Sequence, residues 1–84
     1  MPDTIKLAVL GGSSVATPEL IRALGGRADC PPVDIVLHGR TEDKLAKVAA
    51  VSARLAARAA TPITVTRTTD LRRALEGAHY VLNQ

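Results

Sequence analysis

Ile5-Lys6-Leu7-Ala8-Val9-Leu10 runs into Gly11-Gly12-Ser13-Ser14-Val15-Ala16 and then Thr17-Pro18-Glu19, and this stretch decides the fold. The short, nearly continuous apolar run has the pattern of a parallel strand buried on both faces, because a half-solvated strand would alternate. Gly11-Gly12 end it. Thr17-Pro18-Glu19 predicts a helix start, with a hydroxyl at the N-cap, a proline where its missing N–H costs nothing, and an acid in the first turn. Leu20, Ile21 and Leu24 supply the buried face of that helix, and Gly25-Gly26 stop it.

The rest of the chain repeats the alternation. After the loop at Cys30-Pro31-Pro32, Val33 to Leu37 is a second apolar run of strand length, with Asp34 near its start and His38-Gly39 closing it. Thr41 is placed to cap the next helix, Glu42 and Asp43 suit its first turn, and Leu45, Val48, Ser52, Leu55 and Ala59 recur at helical spacing. Lys44, Lys47, Arg54 and Arg58 fall on a neighbouring face, which reads as solvated rather than as a binding stripe. Pro62 is expected to end this helix. Ile63 to Thr66 predicts a third strand, Asp70 opens a short helix packed by Leu71, Ala74 and Leu75 and ended at Gly77, and Tyr80-Val81-Leu82 makes a fourth strand. The order β-α-β-α-β-α-β, with right-handed crossovers, predicts an α/β fold: a doubly wound, Rossmann-type parallel sheet with helices on both faces and strand order 3-2-1-4. A complete fold of this type has about six strands, so residues 1–84 are expected to be the N-terminal part of a dinucleotide-binding domain, without a catalytic domain.

Composition narrows the function classes. In 84 residues there is room for one domain at most, with Tyr80 the only aromatic residue, so the core must be Val, Leu and Ile. Eleven basic and eight acidic residues leave a net charge of +3, spread along the chain without a basic run or stacking platform for nucleic acid. Cys30 is the single cysteine, which excludes an internal disulfide, and no Cys or His cluster has zinc spacing, so no metal site is expected here. The N-terminal apolar run is too short for a signal peptide or a membrane span, and the expectation is a soluble, cytoplasmic protein without membrane partners.

Gly11-Gly12-Ser13-Ser14 stands where a dinucleotide fold places its phosphate loop. Small residues let the backbone approach a pyrophosphate, and the helix start that follows favours its charge. Ser13 and Ala16 occupy the second and third glycine positions of G-x-G-x-x-G, and a plain strand-to-helix turn is the competing reading. At the end of the second strand, where an acid commonly binds the adenosine ribose of NAD, the residues are His38-Gly39-Arg40-Thr41. Arg40 and Thr41 suit a 2′-phosphate and hence NADP; alternatively, Arg40 stacks on adenine or lies in solvent while Glu42 or Asp43 reaches the ribose, and the choice between NAD and NADP stays open. Asn83-Gln84 lie at the carboxyl edge of the sheet, where their amides suit the nicotinamide ribose unless they are merely terminal. Asp70 is explained by N-capping, and His38 and His79 lack partners for acid–base work and read as structural. Cys30, before two prolines, reads as an unreactive loop thiol.

Ile5 to Ser14 followed by Thr17-Pro18-Glu19-Leu20, then Ile35-Val36-Leu37, Lys44-Leu45, Thr68-Thr69-Asp70, Ala74-Leu75-Glu76-Gly77-Ala78 and Val81-Leu82-Asn83-Gln84, resembles the amino terminus of glycoside hydrolase family 4. That family comprises NAD- and metal-dependent 6-phospho-α- and β-glucosidases and α-galactosidases. The resemblance covers nearly the whole chain, and Gly-Gly-Ser-Ser-x-x-Thr-Pro-Glu is more specific than a generic dinucleotide fingerprint. It implies a parent glycosidase in which bound NAD oxidises the sugar at C3, the acidified C2 proton is removed, the aglycone is eliminated, water adds and the ketone is reduced. The family's divalent metal, commonly manganese, is held by a cysteine and a histidine, and a tyrosine is its base at C2. Those motifs lie beyond residue 84, so Cys30, His38, His79 and Tyr80 do not take these roles.

Carried over by position, Gly11, Gly12, Ser13 and Ser14 are the cofactor-binding loop and Asn83 a further contact, with no catalytic or metal-binding residue; Gly39 and Arg40 join the cofactor contacts from the reading of the end of strand two. Arg40 departs from the acidic residue that the family commonly has at the end of strand two. The expected partners are the dinucleotide, a phosphorylated sugar glycoside in the parent enzyme, and further copies of the chain, since an apolar fourth strand left at an edge invites association. Two alternatives stay open: the first half of a lactate- or malate-type dehydrogenase, and a stand-alone, non-catalytic nucleotide-binding module.

Overall fold

A computed structural model describes residues 4–11, 16–26 and 31–83. Four strands, β1 (Ile5–Leu10), β2 (Val33–His38), β3 (Ile63–Thr68) and β4 (Tyr80–Asn83), alternate with three helices, α1 (Ala16–Gly25), α2 (Glu42–Ala57) and α3 (Leu71–Leu75). All neighbouring strands are parallel and the spatial order is β3-β2-β1-β4. This is the Rossmann-like α/β sheet that the apolar runs predict.

The strand residues divide between two faces by simple alternation. Val9, Val33, Ile35 and Leu37 point to one face, where Ile21 of α1 and Leu45, Ala49 and Ala56 of α2 close over them as one core cluster. Ala8 and Val36 point the other way and are buried, as is Ala74 of α3. The Lys6 ammonium, on that same face, donates to the carbonyls of Arg73 and Glu76 at the end of α3. The helix after β3 therefore lies opposite the first two, as right-handed crossovers require when β4 joins on the far side of β1.

Several local features differ from the pattern reading, each for a stated cause. Helix α1 begins at Ala16, so Thr17 lies inside its first turn; the spacing of Thr17, Ile21 and Leu24 puts the threonine on the buried face, and it is fully enclosed. Helix α2 stops at Ala57, well before Pro62, because the chain must turn there to reach β3: Arg58 N–H donates to the Leu55 carbonyl, Ala59 N–H to the Ala56 carbonyl, and Ala60 N–H to the Gly25 carbonyl at 2.9 Å. Thr41 occupies the N-cap position with extended backbone but makes no side-chain capping bond. Ser52 belongs to the buried stripe as its spacing predicts, with Ala49 and Ala56 rather than Val48 and Ala59 completing it. Strand β3 extends to Thr68. Leu71 and Leu75 do not pack as expected; α3 is so short that only Ala74 faces the sheet, and both leucines stay exposed.

The capping of α3 follows its sequence. Asp70 accepts from the N–H groups of Arg72 and Arg73 at 3.0 and 3.4 Å, and Thr68 Oγ1 accepts from Asp70 N–H. Gly77 ends the helix with φ of 71°, a conformation that favours glycine. Among the described residues no helix is long and apolar enough to cross a membrane.

Candidate functional site

The carboxyl ends of three strands finish level. Register pairs Leu10 with His38 on β2 and with Asn83 on β4, so all three residues share one rung and one face of the sheet. β1 has β2 on one side and β4 on the other, and α1 and α3, the helices that precede those two strands, lie on opposite faces, the arrangement in which open α/β sheets leave a crevice at the carboxyl edge.

A cleft of about 470 Å³ occupies that position. Leu10, Gly11 and Asn83 line it on the side of β1 and β4. His38, Gly39, Arg40 and Thr41, with Lys44 from the first turn of α2, line it as the wall on the β2 side, and Leu71 of α3 also lines it. The predicted contacts Gly11, Gly39, Arg40 and Asn83 are thus brought together from three separate parts of the chain. Gly12, Ser13 and Ser14, the remainder of the predicted phosphate loop, lie outside the described residues, as do Cys30 and Gln84.

Backbone geometry explains the small residues. Gly11 has φ of 76°, so the chain leaves β1 through a left-handed turn that a side chain would strain, and a free backbone edge is what a diphosphate needs for close approach. Gly39 is buried, and Arg40 directly after it is exposed. At the start of α2 the Thr41 hydroxyl leaves the first-turn N–H groups uncapped. These residues fit the adenosine and diphosphate portion of a dinucleotide, which requires a small-residue turn and cationic or N–H donors at one sheet edge.

Electrostatically the wall is one-sided. Arg40 and Lys44 are exposed, and among the described residues neither is held in an ion pair. Of the two acids that lie between them in sequence, Glu42 is engaged elsewhere, its Oε1 accepting from Arg67 Nε at 2.9 Å, and Asp43 is outside the described lining. Among the described residues that line the cleft there is no carboxylate.

Two readings are extended. Lys44 is exposed, as expected with Lys47, Arg54 and Arg58, and it also lines the cleft; the available signal was its position one helical turn after the N-cap Thr41. His38 also lines the cleft, where it read as structural. His79, by contrast, does hold structure: its Nδ1 accepts the Lys6 N–H at 2.9 Å while its own N–H donates to the Lys6 carbonyl. A larger, open hollow of about 790 Å³ beside α3 is lined by Leu71, Arg72, Leu75 and Glu76. All four come from one short helical segment, so no groups from different elements converge there. Among the described residues no three His, Cys, Asp or Glu side chains gather as a metal site.

No family model matches the chain. It is similar to a probable 6-phospho-beta-glucosidase of Bacillus subtilis (strain 168), 34% identical over 87 residues that cover 100% of this chain and 20% of that protein. It is also similar to an alpha-galactosidase of Rhizobium meliloti (strain 1021), 31% identical over 81 residues that cover 95% of this chain and 16% of that protein. The chain spans a fifth or less of the length of these curated relatives, both of which carry the names of glycosidases.

Proposed function

We propose that this chain is the cofactor-binding part of a glycosidase of the family 4 type, and that its cleft holds the adenosine and diphosphate of a nicotinamide dinucleotide. The observation that carries the reading is the convergence of Gly11, Gly39, Arg40 and Asn83 on one cleft at the carboxyl edge of a 3-2-1-4 sheet. The two similar glycosidases favour this reading over a lactate- or malate-type dehydrogenase.

In this account the backbone at Gly11, continuing through Gly12, Ser13 and Ser14, receives the diphosphate, Arg40 meets the adenosine end, and the Asn83 amide holds the ribose nearer the reacting centre. When bound, the dinucleotide supplies reversible hydride exchange with a sugar carbinol. Sugar binding, the divalent metal and the proton transfers belong to the part of the protein that this chain does not span, so the chain alone binds cofactor without turnover. The name of the Bacillus relative supports a 6-phosphorylated glycoside as the parent's substrate.

Calorimetric titration with ADP-ribose and, separately, with nicotinamide mononucleotide tests the assignment of halves. The expected result is saturable binding of ADP-ribose and none of the mononucleotide. Failure of ADP-ribose, NAD and NADP alike to bind a chain with an intact far-UV spectrum overturns the reading.

A further inference from the structure

We infer that the cleft selects a dinucleotide bearing a phosphate monoester on the adenosine ribose, with Arg40 and Lys44 as the two residues that read it. The inference rests on the dinucleotide reading and narrows it to the NADP class. A ribose with free 2′ and 3′ hydroxyls is held by a carboxylate that accepts from both, whereas a 2′-phosphate places about two negative charges at the same point and requires cations in its place.

The wall beyond β2 has the second chemistry. Arg40 follows the buried Gly39 directly, and Lys44 approaches the same cleft from the first turn of α2, so two cations from a loop and a helix border one volume. Neither is neutralised by a neighbouring acid among the described residues. Glu42 has the right place in the chain to serve a ribose, but Arg67 of β3 holds its carboxylate at 2.9 Å, and it is absent from the described lining, as is Asp43. An unphosphorylated ribose would find no carboxylate to accept from both its hydroxyls among the described residues of this wall. A phosphate monoester would find a guanidinium able to pair through two N–H groups and an ammonium able to approach as a point charge.

The test is a set of parallel titrations of the full chain with NADP, NAD and inorganic phosphate, repeated for Arg40→Ala, Lys44→Ala and Lys47→Ala. NADP is expected to bind about tenfold or more tightly than NAD, the scale of one to two charge-assisted hydrogen bonds. Arg40→Ala and Lys44→Ala each bring the ratio of the two affinities towards one. Lys47→Ala, one turn further along α2 and outside the described lining, leaves that ratio unchanged, which separates a built site from general attraction to a basic chain. Equal or tighter binding of NAD overturns the inference while the dinucleotide reading stands. Binding of inorganic phosphate without either dinucleotide identifies an isolated anion site and overturns both. A ratio that falls equally in Lys47→Ala also overturns the inference.

Discussion

Arg67, next to last in β3, donates from Nε to Glu42 Oε1, the first residue of α2, across 2.9 Å. The pair is well exposed, with side chains 46% and 57% accessible, so solvent screens it and its contribution to stability is about 1 kcal/mol or less. Its consequence lies in placement, because Glu42, two residues from both Arg40 and Lys44 in sequence, has its carboxylate on Arg67 of β3 and is not in the described lining of the cleft. Arg67→Ala is therefore expected to change the unfolding midpoint little and to lower the NADP-to-NAD affinity ratio, as the released carboxylate adds negative charge near the ribose site. Titration of both dinucleotides with the variant checks this; an unchanged ratio would show that the pair has no bearing on the cleft.

A second prediction concerns the meeting of α1 and α2. A Cβ on Gly25 would stand 2.9 Å from Ala59 Cβ and 3.3 Å from its Cα, closer than packed carbons approach. Gly25→Ala must push the helix ends apart and is expected to cost about 1–3 kcal/mol, as overpacking does. Gly26→Ala meets nothing nearer than the Arg22 carbonyl at 3.7 Å and is expected to be close to neutral. Urea unfolding of both variants, read from midpoints at a constant m value, separates the two sites.

The hydroxyl of Ser52 is buried in α2 and has no hydrogen-bond partner among the described residues. A buried, unpaired polar atom is costly, and alanine is the better helix former. Ser52→Ala is expected to raise stability by about 1 kcal/mol; a lower midpoint would mean that the hydroxyl is satisfied in solution.

β4 pairs with β1 on one side, and its other edge has no strand among the described residues. Tyr80, Val81 and Leu82 are all exposed and the strand carries no charge, whereas β3 at the opposite edge carries Arg67 and three threonines. Strand edges without charge invite pairing. Light scattering is expected to show association that grows with concentration and is reduced by Val81→Lys. A monomer at every accessible concentration would contradict it.

The sheet was legible because each strand is a dense apolar or β-branched run between glycine, proline or capping residues, and parallel order follows once helices separate such runs. Ser52 and Asp70 were legible for the same reason, since helical spacing and capping are local. Helix ends were not. The early stop of α2 depends on Ala60 meeting the Gly25 carbonyl across the fold, and the start of α1 depends on which face Thr17 joins. At the cleft, Gly11, Arg40 and Asn83 were recognisable from their places at strand ends. Lys44 was missed because its neighbours in sequence form a solvated basic face, and the engagement of Glu42 was invisible because Arg67 reaches it from 25 residues away.

Backbone amide shifts recorded while NADP is added to the isotopically labelled chain test the central claim most directly. The account predicts saturable changes at Gly11, Gly39, Arg40 and Asn83, with little change at Gly25, Arg58 and Ala59, which line a separate hollow of about 240 Å³ at the far end of α1 and α2. Changes centred on that hollow, or none at all in a chain whose amide spectrum shows it folded, would contradict it.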